Sequence, residues 1–536
     1  MKKISEQRKK WVERTIANKR TYKLYLYNRF FVFLLLGIAQ LLGYVCLLYL
    51  FADNARVGVA VQFAISVLSL FVVLVLINKN ERPSVKLSWI LLILLLPIVG
   101  VPSYIIYGEG KPTRKMNKKI ERSKAENDET FRSVYGETEL ISPENRGEGV
   151  CRYLTEYGKF PLYRTGALTY YKSGEEVFPA ILEALQSAKE FILLDYFIIE
   201  SGKFWNSILK ILLEKATVGV RVRIIYDNFG CLTTLPPDYD KYLEGLHENI
   251  RCMTFNKLLP IFSLRMNNRN HRKILVIDGK ISFTGGINLA DEYIGEKKKY
   301  GYWKDSALRM QGDAVNVFTK MFFDMWNAFR IDKEELKNYL KPLKDRGRYA
   351  LNDEKALYLQ PYDDSPLDGI SVGETVYLDI INRARGYVYI FTPYLILDDS
   401  MRMALRLAAT RGVDVRIVTP GVPDKRTTYR LTRANYAELM RAGVKIYEYT
   451  PGFIHAKSIV CDDECAVVGT INFDYRSLYH HFENAVYFAN CEEVFALKRD
   501  CEETFAISKL CENGYPKRTV FGRFFDAVLR VFETLF

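Results

Sequence analysis

The chain has 536 residues, a formal net charge of +13, 49% hydrophobic content and nine cysteines. That length accommodates a membrane anchor plus two globular units, and the charge favours an anionic partner such as nucleic acid, acidic lipid headgroups or a phosphate substrate. The cysteines are scattered without a C-x-x-C pair, which argues against a disulfide framework and a zinc site and favours reducing surroundings.

Residues 1–29 form a basic N-terminal segment. Residues 30–107 follow as a membrane region with three apolar stretches, 30–51, 57–77 and 87–107. Each is close to the ~20 residues that a helix needs to cross hydrocarbon, which predicts a multi-pass anchor in a cell membrane. The Lys/Arg-rich leader should stay cytoplasmic. The third stretch contains Pro97, Gly100 and Pro102, which break a straight helix. It is expected to bend or re-enter, leaving the following residues on the cytoplasmic side. A basic linker, 108–150, comes next.

Beyond the linker the chain reads as soluble α/β. "FILLDYFII" has the composition of a buried strand, "FWNSILKILLEKATVG" that of an amphipathic helix and "VRVRIIYD" that of a second strand. The order recurs as "YVYIFTPYLI", "SMRMALRLAATRG" and "VDVRIVTP". Two units are therefore expected, residues 151–330 and 357–515, joined by a charged segment at 331–356. Strand–helix–strand order predicts a mostly parallel sheet covered by helices in each. The tail, 516–536, is amphipathic and suits either core docking or an interfacial helix.

Within each unit stands a chemical motif. "NHRKILVIDGKISFTGGIN" and "IHAKSIVCDDECAVVGTIN" align at an offset of 184 residues. The offset superposes His271 on His455, Lys273 on Lys457, Asp278 on Asp462 and Asn288 on Asn472. In a strand, residues two apart share a face, so His271 and Lys273 project together and Arg272 points away. Asp278 precedes Gly279 at a hairpin turn, off the His/Lys face, so Asp278 and Asp462 read as mainly structural members of the motif.

An imidazole beside an ammonium has a depressed pKa and is a usable base or nucleophile near neutral pH. The Lys and Asn side chains add donors for negative oxygens. Two such half-sites facing one another suit a phosphodiester, with one His attacking phosphorus and the other protonating the leaving oxygen.

H-x-K-x4-D followed by G-x2-N, present twice, resembles the phospholipase D superfamily. "WILLILLLPIVGVPSYIIYGE", "YWKDSALRMQG" and "INFDYRSLYHHFENAVY" narrow the resemblance to bacterial cardiolipin synthases of the two-motif type. The resemblance implies an α/β chain of two phospholipase D-like α/β/α half-domains with pseudo-two-fold symmetry behind an N-terminal membrane-anchoring helical region. It implies a phosphatidyltransferase without metal or other cofactor, with His271, Lys273, Asp278, His455, Lys457 and Asp462 as the catalytic motif. One phosphatidylglycerol would give its phosphatidyl group to His271, releasing glycerol. A second phosphatidylglycerol would then take it, with His455 as general acid and base.

By motif position, Asp305 and Glu483 would orient the two imidazoles, with Asn288 and Asn472 supporting. The expected partners are phosphatidylglycerol and anionic membrane lipid, not nucleic acid. A membrane phosphodiester hydrolase of the same superfamily and a non-enzymatic anionic-lipid scaffold are the competing readings. The adjacent His480 and His481 should diverge, so they are not expected to share a ligand.

Overall fold

The computed structural model describes residues 37–108 except 48 and 53, 113–135, 148–257 except 165, 267–341, 357–512 and scattered positions between 519 and 533. The N-terminal basic segment, residues 342–356 of the connecting segment and most of the C-terminal tail lie outside the described residues. The chain divides into a helical unit that reaches Lys115 and an α/β unit that begins at Met116.

In the helical unit, Ala55–Ile77 is apolar all round, with Val59 and Phe63 each 70% exposed. A helix without a polar face suits a bilayer, and its 23 residues extend about 35 Å, enough to cross one. Of the first apolar stretch, a helix over Gly37–Leu47 is described. The third stretch breaks at Leu96 into Pro83–Leu95 and Pro97–Tyr107.

Pro97 has no N–H to continue the first of these helices and opens the second. A Cβ on Gly100 would lie 2.7 Å from the carbonyl oxygen of Leu92, so only glycine permits the close return. Val73, Leu76, Ile93, Val101 and Tyr104 form the small core of this unit. The bend expected in the third stretch is therefore present. Among the described residues, one helix is long and apolar enough to cross a membrane.

The α/β unit contains two sheets of matching topology. The strands of the first half are β1 Ala167–Tyr171, β2 Phe191–Tyr196, β3 Arg221–Asp227, β4 Ile250–Phe255, β5 Arg269–Asn270, β6 Lys273–Ile277, β7 Ile281–Gly285, β8 Tyr302–Lys304 and β9 Ala307–Gln311. Seven of them form a sheet in the order β1-β9-β7-β6-β2-β3-β4.

The second half holds β10 Tyr358–Asp364, β11 Tyr387–Phe391, β12 Leu395–Ile396, β13 Asp414–Pro420, β14 Lys445–Tyr449, β15 Gly452–Ile454, β16 Ser458–Cys461, β17 Cys465–Gly469, β18 Phe473–Asp474, β19 His481–Ala489 and β20 Ser508–Leu510. Its sheet runs β10-β19-β17-β16-β11-β13-β14-β20, position for position the same as the first up to the added β20.

Neither sheet is mostly parallel, which corrects the strand–helix–strand expectation. In the first, β2, β3 and β4 are parallel, while β6, β7, β9 and β1 pair antiparallel. The cause is the hairpin inside each motif. Asp278 and Gly279 have φ of 52° and 63°, the left-handed pair that a tight two-residue turn requires. Asp462 and Asp463, at 53° and 57°, repeat it.

The halves share one core, in which Leu193, Ile274 and Phe322 of the first join Val460, Val468 and Phe482 of the second. They also interlock through the backbone: β5 pairs with β19, and β15 pairs with β8. Residues 148–164 precede the first sheet yet pack on the second half, where Gln360 Nε2 donates to the Phe160 carbonyl at 2.7 Å.

Candidate active site

The interlocked short strands carry the two histidines. His271 follows β5, and its N–H donates to the Phe482 carbonyl of the second half at 2.9 Å. His455 follows β15, and its N–H donates to the Lys304 carbonyl of the first half at 2.7 Å. Each imidazole is then held by a carboxylate from the opposite half. His271 Nδ1 lies 2.8 and 2.9 Å from the Glu483 oxygens, and His455 Nδ1 lies 2.6 Å from Asp305 Oδ2.

A carboxylate accepts only, so each neutral ring carries its proton on Nδ1 and keeps a lone pair on Nε2. The acids are fixed in turn. Ser477 Oγ donates to Glu483 at 2.5 Å, and the Ser306 N–H donates to Asp305 Oδ1 at 2.8 Å. Gly286 leaves the space for Asp305, since a Cβ there would fall 2.0 Å from Oδ1.

Lys273 and Lys457 are buried, and each donates to the carbonyl of its own histidine. Burial pushes the ammonium of Lys273 down to about 7 and that of Lys457 to about 8. Burial also holds His455 down to about 4, reinforced by Lys457. His271 is held well below its usual range by burial, then by the charges of Lys273 and Lys457. Both lysines therefore act electrically on His271, and Lys273 acts on His455 as well. Two imidazoles held neutral beside two desolvated lysines make surroundings suited to an anion.

Other members of the sequence motif have different places. Asp278 accepts from the backbone N–H groups of Lys189, Glu190 and Phe191 at 2.8–2.9 Å. Asp462 accepts from Arg385, Gly386 and Tyr387 at 2.7–2.8 Å. Each sits at the far end of its strand, about 16 Å from the lysine for five residues of extended chain. Each carboxylate ties its hairpin to the start of β2 or β11, in keeping with the mainly structural reading of these two residues.

Asn288 spends its amide on the Tyr293 hydroxyl at 2.7 Å and accepts from Ile198 N–H at 3.0 Å, a positioning arrangement. Asn472 is buried, and its Oδ1 makes no hydrogen bond. Arg272 points away from the His/Lys face and pairs with Asp363. Thr470 exchanges hydrogen bonds with the backbone of Asn484.

Aromatic rings flank the histidines. Phe197 lies 4.8 Å from His271, while Tyr293 and Trp303 lie 5.5 and 5.6 Å from His455. A third imidazole, His481, stands 5.3 Å from His271 with its basicity lowered to about 3 by burial. From the sequence, Phe197, Tyr293 and Trp303 are not singled out, and His481 is weighed only against His480. For His481 the signal was present in "HFE", because His481 and Glu483 are two apart on β19 and share a face.

Comparison with known proteins agrees with this geometry. The family model described as cardiolipin synthase, PLD-like domain, matches residues 181–326 and 377–505, the two halves in turn. A cardiolipin synthase of Alkalihalophilus pseudofirmus is 32% identical over 458 residues, covering 84% of this chain and 88% of that protein. The chain belongs to the phospholipase D-like cardiolipin synthase family.

A second family member, a cardiolipin synthase of Geobacillus kaustophilus, is 32% identical over 440 residues, 80% of this chain and 84% of its own. An uncharacterised protein of Streptococcus mutans is 43% identical over 432 residues, 80% of this chain and 91% of its own. The phospholipase D-nuclease N-terminal model matches residues 67–109. The crystal structure of a phosphatidylserine synthase from Haemophilus influenzae superposes with a TM-score of 0.54 at 14% identity, covering 72% of this chain and all of that one, and shows the shared fold. As a member of this family, the chain is a phosphatidyltransferase of the phospholipase D type.

Proposed function

We propose that the chain is a cardiolipin synthase acting on phosphatidylglycerol at a cell membrane, with its α/β unit on the cytoplasmic side. The observation that supports this best is the exchange of carboxylates, in which Glu483 serves His271 and Asp305 serves His455. Such an exchange ties both imidazoles into one centre rather than two. The family membership and the long apolar helix support a lipid substrate and a membrane setting.

In the first step, Nε2 of His271 attacks phosphorus and the bond to the glycerol oxygen breaks. His455, protonated while the anionic diester is bound, gives its proton to that oxygen. Lys273 and Lys457 neutralise the negative charge gathering on the non-bridging oxygens. In the second step, His455 takes the proton from a hydroxyl of another phosphatidylglycerol. The resulting oxygen bonds to phosphorus, the P–N bond breaks, and cardiolipin leaves with His271 restored.

The test uses full-length protein and phosphatidylglycerol vesicles. Cardiolipin and glycerol in equal amounts support the reading. Phosphatidic acid without cardiolipin assigns hydrolysis instead, and no lipid product from folded protein leaves only the scaffold.

A further inference from the structure

His481 is a buried imidazole that the transfer chemistry does not use. It is 8% exposed, and its ring nitrogens meet no partner in good hydrogen-bond geometry, the long contact to Glu483 aside. A buried imidazole so weakly engaged keeps a lone pair available to a ligand. Its Nδ1 lies 3.4 Å from Glu483 Oε1, and His271 Nδ1 lies 2.8 Å from the other oxygen of the same carboxylate. The donor atoms of His271, His481 and Glu483 all fall within 4.8 Å of one another.

We propose that these three side chains form an inhibitory site for a divalent transition-metal ion, zinc by its donor chemistry. Two imidazoles and one carboxylate, with a further position for water, are a zinc-type set, whereas magnesium and calcium prefer oxygen throughout. Zinc–ligand bonds of about 2.0–2.1 Å place neighbouring donors of a tetrahedron roughly 3.3 Å apart. The two carboxylate–imidazole separations, 2.8 and 3.4 Å, stand on either side of that value. Only the two rings need to draw together.

Inhibition follows from proton bookkeeping on one ring. A metal on Nδ1 of His271 moves the ring proton to Nε2 and fills the lone pair that would attack phosphorus. The same ion takes Glu483 from its orienting role. Lys273 opposes the ion, so a chelator should reverse its binding. The inhibitory consequence rests on His271 as nucleophile, as proposed above; the binding of metal does not.

Full-length protein in detergent is titrated with Co²⁺, read by visible absorption, and with Zn²⁺, read by the phosphatidylglycerol transfer rate. Wild type should show cobalt bands that zinc displaces, and zinc should stop transfer until EDTA is added. His481→Asn, with folding checked by near-UV circular dichroism and His481→Gln as a second variant, should keep the basal rate. It should also lose the cobalt bands and need at least about ten-fold more zinc for the same inhibition. Absence of cobalt bands in wild type overturns the site, as does equal zinc sensitivity in wild type and variant. If the protein transferred no phosphatidyl group, the function reading would fail while the cobalt spectrum still decided the metal site.

Discussion

Glu483, on β19 of the second half, holds Nδ1 of His271 in the first half at 2.8 Å. Exchange of Glu483 for Gln offers the ring an amide that can donate as well as accept, so the tautomer is no longer fixed. The expected result is a fall in kcat of roughly 10²–10⁴-fold with KM little changed. Steady-state transfer kinetics check it, and a loss confined to KM would place Glu483 in substrate binding instead.

Lys273 sets function against stability. Its buried ammonium is depressed from 10.5 to about 7, so the unfolded chain binds more protons between those values. Stability is therefore least favoured by this group at and below pH 7 and improves as pH rises toward 10.5. Lys273→Met should abolish transfer and yet melt at the same or a higher temperature near pH 7. Thermal melts beside activity assays read both effects, and a large drop in Tm would show that the ammonium is structurally required.

His455 gives a different window. Its folded-state value of about 4 lies below the ordinary 6.5, so between these pH values the unfolded chain again binds more protons. Its contribution to stability is present above 6.5 and is lost as pH falls toward 4. Denaturant unfolding between pH 4 and 6.5 should show this slope, and His455→Gln should flatten it. An unchanged slope in the variant contradicts the assignment.

Asp278 should behave unlike its neighbours in the motif. Its carboxylate satisfies three backbone N–H groups at the start of β2, so Asp278→Ala leaves buried donors without an acceptor. The expected loss is about 2–4 kcal/mol of stability. The folded fraction should keep its kcat. Chemical denaturation with activity corrected for folded protein separates the two effects.

Much of this was legible in the residues, for physical reasons that can be named. The period-two pattern placed His271 with Lys273 and turned Arg272 away, and Asp-Gly marked the turn that the left-handed φ at Asp278 confirms. The repeated offset of 184 residues announced two equivalent sheets. Strand direction was not legible, because a strand–helix–strand run constrains only the strands that it joins. β6 and β7 enter the sheet through a hairpin and reverse its sense.

The crossed pairing of Glu483 with His271 and of Asp305 with His455 was also hidden. It depends on β5 and β15 crossing to the opposite half, a contact across 212 residues for Glu483 and 150 for Asp305. The break in the third apolar stretch, by contrast, was legible from Pro97, which opens a new helix there.

One phosphorus centre shared by two halves is best tested by counting. Rapid acid-free quench of the full-length protein turning over phosphate-labelled phosphatidylglycerol, followed by peptide mapping, gives the number and position of phosphatidyl groups. At most one group per chain is expected, on His271, and none in His271→Ala. Two groups per chain, one on His271 and one on His455, would mean two independent centres and contradict it.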